Sequence, residues 1–196
     1  MVLAYHLIFS AYGFWLPNDP RGSWSDWVRS WELFRYGPAT KTTSRRSVAG
    51  RSHDRALRKA AKSALKYPPV QFTGTQARAI ARGFAKAGEE GGYQIYACAI
   101  LRDHVHVVVA RHERKAEGIR DHLKSRATFM LNKEGINPMP DVPQRPSPWA
   151  HKGWQVFLDS QEDIARAIEY VRNNPMKERL PPQLWWFLTP WQSQGA

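Results

Sequence analysis

The sequence carries a single cysteine, Cys98. One thiol cannot close an internal disulfide, and it excludes a zinc centre built on several cysteines. No stretch approaches the roughly 20 consecutive apolar residues needed to cross a bilayer. Residues 1–14 are apolar but have neither a basic start nor a small-residue cleavage site, so they do not read as a secretory leader. These shortages make a reducing cytoplasm the expected compartment and leave no membrane partner to expect. Acidic residues are scarce in one place above all. Residues 35–86 hold thirteen lysines and arginines against one acid, Asp54, so this quarter of the 196-residue chain supplies the whole formal charge of +12.

Charge so one-sided points to a polyanion, because each phosphate that is neutralised releases counterions. The candidate phosphate contacts in this segment are Arg45, Arg46, Arg51, Arg55, Arg58, Lys59 and Lys62. A plainer reading is a solvated basic arm, since residues 40–51 are also rich in Ser and Thr. An anionic membrane surface fits less well, because the apolar stripe of residues 55–66 is Ala and Leu without bulky anchors.

What is present is aromatic: nine Trp, eight Phe and seven Tyr, enough to bury a core. The length suits one domain. We read a single domain over 1–196, with a basic insertion at about 24–66 and a Trp/Pro-rich tail at about 180–196 that wraps the surface. Residues 2–11 read as a strand, closed by Gly13 and Pro17. Residues 16–37 read as an aromatic loop; its tryptophans, Trp24, Trp27 and Trp31, are either base-stacking platforms or a satellite cluster pinning the loop. Helices are expected over 53–65, 75–90 and 118–132. Strands are expected over 93–101 and 104–110, joined at Arg102-Asp103, and over 155–158. A last helix over 160–174 has Ser160 as its cap and Pro175 as its stop. This order describes an α+β fold with helices packed on one face of an antiparallel sheet.

Two places carry chemistry. In His104-Val105-His106 the two-residue repeat of a strand sends both imidazoles to one face, where together they can grip a divalent ion. Alone, the triplet reads more readily as a pair of half-exposed strand histidines. Asp103 reads as a turn residue pointing away from His104, and His53, His112 and His151 read as surface histidines. On the last helix, Ile164, Ile168 and Val171 form the apolar stripe. Tyr170 and Asn174 project together beside it, one turn apart. Asn174 as a simple cap and Tyr170 as a core edge remain the plainer alternatives.

Three stretches resemble a known family: residues 5–13, Tyr5-His6-Leu7-Ile8-Phe9-Ser10-Ala11-Tyr12-Gly13; the triplet His104-Val105-His106; and residues 167–175, Ala167-Ile168-Glu169-Tyr170-Val171-Arg172-Asn173-Asn174-Pro175. Trp149, Gly153 and Trp154 match its aromatic-glycine stretch. The sequence resembles the single-tyrosine HUH transposases, most closely the REP-associated tyrosine transposases, over most of the chain outside 24–66 and the tail after Leu180. Asn174 stands where smaller relatives have Gln.

The resemblance implies a ferredoxin-like or RRM-like antiparallel sheet and a DNA strand transferase. Tyr170 would be the nucleophile, leaving a 5′-phosphotyrosine bond and a free 3′-OH. His104 and His106 would hold Mg²⁺ or Mn²⁺, with the Asn174 amide oxygen as a third ligand. Apart from the resemblance, Arg102 and Lys152 are further candidate phosphate contacts. The partner would be single-stranded DNA with a hairpin or palindromic repeat, met by a monomer or a homodimer whose catalytic helix serves its own or the other subunit. A non-catalytic module for structured RNA or DNA, and a phosphodiesterase using water, are the alternatives that leave Tyr170 idle.

Overall fold

The computed structural model describes residues 1–17, 19, 31–38 and 54–192. Arg45, Arg46, Arg51, His53, Trp24 and Trp27 lie outside the described residues. The described elements run β1 (Ala4–Ala11), α1 (Trp31–Phe34), α2 (Arg55–Ser63), α3 (Gly74–Gly91), β2 (Ile95–Ile100), β3 (His104–Ala110), α4 (Ala116–Lys133), β4 (Trp149–Leu158) and α5 (Gln161–Lys177). The strands form one antiparallel sheet in the order β2-β3-β1-β4. With α3 between β1 and β2 and α4 between β3 and β4, this is the α+β, ferredoxin-like arrangement expected.

Strand alternation divides the sheet into two faces. Tyr5, Leu7, Phe9 and Ala11 of β1 and Val105, Val107 and Val109 of β3 face α3 and α4, meeting Ile80, Phe84, Ile119, Leu123 and Leu131. Each large side chain fully buried there stabilises the fold by about 1.5–3 kcal/mol. α3 and α4 approach so closely that a Cβ on Gly83 would lie 2.6 Å from the backbone of Ala127. α5 departs from the expectation that the helices share one face. Its stripe of Ile164, Ala167, Ile168 and Val171 packs on the opposite side, against Ala4, Ala97, Ala99, Val108 and Leu158.

Local signals explain the boundaries. Thr73 caps α3 in a reciprocal box with Gln76, so the helix begins at Gly74, one residue before the expected start, and Gly92 ends the helix at φ 67°. Asp54 caps α2 by accepting from Leu57 N–H at 2.9 Å. β4 starts at Trp149 rather than 155, because Trp149 is buried in the core and its indole N–H donates to Thr128 at 3.0 Å. The buried Lys124 ammonium ties β4 to α4, donating to the carbonyls of Ala150 (2.8 Å) and Lys152 (3.1 Å). Burial and then the charge of Arg120 push its pKa down to about 8.

Two ends differ from expectation with consequences for the site. α5 runs through Pro175 to Lys177 instead of stopping before it. Proline removes one helix N–H, but the turn is still closed by Glu178 N–H on the Asn174 and Pro175 carbonyls and by Leu180 N–H on Pro175. The tail then runs along the β2 edge: the Gln183 amide pairs with both the N–H and the carbonyl of Ile100 at 2.8 Å, and Thr189 N–H donates to Ile95. This covers backbone groups that an edge strand would otherwise leave unpaired.

Candidate active site

The face of the sheet under α5 is apolar at one end and imidazole-rich at the other. On β1, Ala4, His6, Ile8 and Ser10 point to it; on β3, His104, His106 and Val108 do. The register sets Ser10 opposite His104, Ile8 opposite His106 and His6 opposite Val108, so His6 lies diagonal to His106. The two rings meet: His6 Nε2 is 2.9 Å from His106 Nδ1. The His104 and His106 ring centres are 5.0 Å apart, so the expected pairing of these imidazoles on one face holds in the structure.

Their environments differ. His106 is 4% exposed and His6 7%. Burial drives the His6 pKa down to about 4. His106 is held well below its ordinary value by burial first, then by the neighbouring His6, His104 and Lys177. Both rings are therefore neutral at pH 7, the state in which imidazole has a lone pair for a cation.

His104 is more open and is held by carboxylates. Its Nδ1 donates to Asp103 Oδ1 at 2.8 Å, and its Nε2 lies 3.8 Å from Glu178 Oε1. Asp103, read from the sequence as a turn residue facing away, thus binds the imidazole next to it. The strand alternation does not apply to it because it precedes β3, in the bend between the two strands. Asp103, His104 and Glu178 each offer a ligand atom within 4.8 Å of the others. Two ligands that share one ion at about 2.1 Å stand roughly 3.0–4.2 Å apart, depending on the angle between them. The His104 Nε2–Glu178 Oε1 separation of 3.8 Å falls in that range, so these two groups fit a divalent cation, with Asp103 holding the other nitrogen of His104.

α5 lowers the remaining groups onto this face. Tyr170, Asn174, Lys177 and Glu178 are spaced i, i+4, i+7 and i+8, one side of a helix. The Tyr170 ring lies 5.5 Å from His106 and 6.0 Å from His6, centre to centre, within one chain. Its side chain stays half exposed, open to a substrate. Lys177 Nζ sits 4.5 Å from the centre of the same ring. Asn174 is buried and, among the described residues, its amide nitrogen has no hydrogen-bond partner, and neither has the buried Ser10 hydroxyl. The amide can turn end for end, so this position can offer its oxygen.

The basic candidates scatter. Arg55, Lys59 and Lys62 are exposed along α2. Arg58 instead pairs with the buried Asp19 carboxylate at 3.4 Å. Arg102 is exposed beside Asp103 and lines, with Arg78, Phe72 and Trp185, a cavity of about 600 Å³. Lys152 is exposed on β4, as is His151; His112 packs edge-on to Tyr93. Sequence reasoning missed His6, Asp103, Lys177 and Glu178. The signal for His6 was a polar residue in an apolar strand; the signal for Lys177 and Glu178 was helical spacing from Tyr170, hidden by reading Pro175 as a stop.

No family model and no curated protein matches the chain. Among solved structures it is similar to a REP-associated tyrosine transposase bound to a REP hairpin, at TM-score 0.47 and 11% identity, covering 89% of this chain and 67% of that one. It is also similar to a candidate transposase from Deinococcus radiodurans, at TM-score 0.39 and 13% identity, covering 88% of this chain and 91% of that one. Neither likeness transfers an activity or a residue's role to this chain.

Proposed function

We propose that the protein is a divalent-metal-dependent endonuclease and strand transferase acting on single-stranded DNA beside a hairpin, through Tyr170. The observation that carries this reading is the half-exposed Tyr170 ring 5.5 Å from the neutral His106, with the Lys177 ammonium 4.5 Å from the ring centre. A phenol needs no such surroundings to pack at a core edge.

In this reading the Tyr170 oxygen attacks a DNA phosphorus as its proton leaves to solvent. An O–P bond to tyrosine forms, the bond from phosphorus to the 3′ oxygen breaks, and that oxygen departs as a hydroxyl after taking a proton. One phosphoester replaces another, so the strand can be rejoined by the reverse attack with no nucleotide consumed. His104, His106, Asn174 and Glu178 would hold Mg²⁺ or Mn²⁺, which would polarise the phosphate and stabilise the leaving oxygen. Arg102 and Lys152, with Arg55, Lys59 and Lys62, would hold the strand by its phosphates. The hairpin-bearing substrate is the class that the sequence resemblance implies.

The test is a labelled single-stranded hairpin DNA incubated with the protein and Mn²⁺, followed by denaturing electrophoresis. A protein–DNA adduct that disappears in Tyr170→Phe supports the proposal. Cleavage that survives Tyr170→Phe assigns the chemistry to water, and binding of several such DNAs with neither cleavage nor adduct leaves a non-catalytic binding module.

A further inference from the structure

A neutral imidazole has one N–H and one lone pair, so the His6–His106 contact has two possible forms. If His6 Nε2 donates, His106 must carry its proton on Nε2 and presents an N–H where a ligand should be. If His106 Nδ1 donates, its Nε2 lone pair is free. The 2.9 Å separation joins His6 Nε2 to His106 Nδ1, which leaves Nε2 as the only His106 nitrogen available to a cation.

The neighbouring imidazole shows the same choice already made. A carboxylate can only accept from His104 Nδ1, so a neutral His104 carries its lone pair on Nε2, on the side of Glu178. Metal-bound histidines commonly have their second nitrogen anchored in this way, which fixes both tautomer and ring direction. Under His106 the anchoring site is buried, and a carboxylate there would cost far more to desolvate than a neutral ring. An imidazole acceptor meets both demands.

We propose that His6 is a positioning residue: by accepting from His106 Nδ1 it holds His106 in the tautomer that presents Nε2 to the metal. The role rests on the metal reading given above. His6 itself binds no cation; it acts through its neighbour.

The experiment uses the full chain labelled with ¹⁵N-histidine. In the metal-free wild type, ¹⁵N–¹H correlation spectra are expected to show His106 protonated on Nδ1. Mn²⁺ binding, measured by titration, should weaken about 10- to 100-fold in His6→Phe. It should be largely restored in His6→Gln, whose amide oxygen can accept the same hydrogen bond. Three results overturn the role: His106 protonated on Nε2 in the wild type, unchanged Mn²⁺ affinity in His6→Phe, or equal weakening in the Phe and Gln variants. A wild type that binds no Mn²⁺ overturns the metal reading and the positioning role with it. The tautomer measurement needs neither metal nor variant, so failure of the hydrogen-bond argument is told apart from failure of the metal site.

Discussion

The Lys177 ammonium lies 4.5 Å from the centre of the Tyr170 ring, seven residues earlier on the same helix. A cation over the ring is worth about 0.5–1 kcal/mol at an exposed site. Its larger effect should come as the phenol loses its proton, because a positive charge then stabilises the anion that develops. Lys177→Met should slow formation of the covalent DNA adduct about tenfold, equivalent to about 1.4 kcal/mol of barrier. Mn²⁺ affinity should hold or rise slightly, since Lys177 is one of the positive charges acting on His106, and Lys177→Arg should recover much of the rate. Single-turnover adduct formation measures this, and an unaltered rate in the Met variant removes the role.

How far residues revealed this site depended on whether the signal was periodic. The His104–His106 pairing followed from strand alternation, and the Tyr170–Asn174 pairing from helical spacing. The α+β antiparallel class came from the order of strands and helices along the chain, and the ferredoxin-like arrangement from the family resemblance. What stayed hidden was what periodicity does not encode. His6 meets His106 across two strands whose register no single strand reveals. Asp103 sits in a bend, where alternation gives the wrong direction. Lys177 and Glu178 were lost through one inference, that Pro175 stops the helix. In fact proline removes a single N–H in the last turn, and buried packing together with the Glu178 and Leu180 amides offsets that loss. The side of the sheet taken by α5 was hidden as well, since an apolar stripe does not say which face it covers.

The depressed His6 pKa makes a statement about acid stability. Between the ordinary value of 6.5 and about 4 the unfolded chain binds a proton at this residue and the folded chain does not. Stability therefore rises with pH across that window, is fully present above pH 6.5, and is lost as pH falls toward 4. For His6 alone the loss between pH 7 and pH 5 is about 2 kcal/mol. His106 shifts in the same direction and adds to it. Denaturant unfolding of the metal-free protein should show a steeper fall over this range in the wild type than in His6→Phe. Parallel pH curves would contradict this.

Two glycines of α3 should respond oppositely to alanine. A Cβ on Gly83 would lie 2.6 Å from backbone atoms of Arg126 and Ala127, which cannot rotate away, whereas nothing lies within 4 Å of one on Gly74. Overpacking costs about 1–3 kcal/mol, and the helix propensity gained from Gly to Ala returns only about 1. Gly83→Ala should therefore lower Tm by a few degrees, while Gly74→Ala leaves it level or raises it slightly. Thermal melts of the two variants side by side check the closeness of the α3–α4 contact; equal shifts would mean that the helices can part at little cost.

The basic residues of α2 divide by what they already touch. Arg55, Lys59 and Lys62 lie exposed at i, i+4 and i+7, one face of the helix, and can meet successive phosphates. Arg58 is occupied by Asp19, whose carboxylate is almost fully buried. Replacing Arg55, Lys59 and Lys62 by Gln should lower the slope of log affinity against log salt by about 2, since each contact to a single strand contributes about 0.7. Folding stability should barely move. Arg58→Gln should do the reverse, costing about 1–3 kcal/mol of stability by withdrawing a partner from a buried carboxylate, with little change in slope. Fluorescence anisotropy of a labelled single strand at several salt concentrations, paired with denaturant melts, separates the two effects. If the triple variant keeps the wild-type slope, α2 is a solvated face, and the phosphate contacts must be sought elsewhere on the chain.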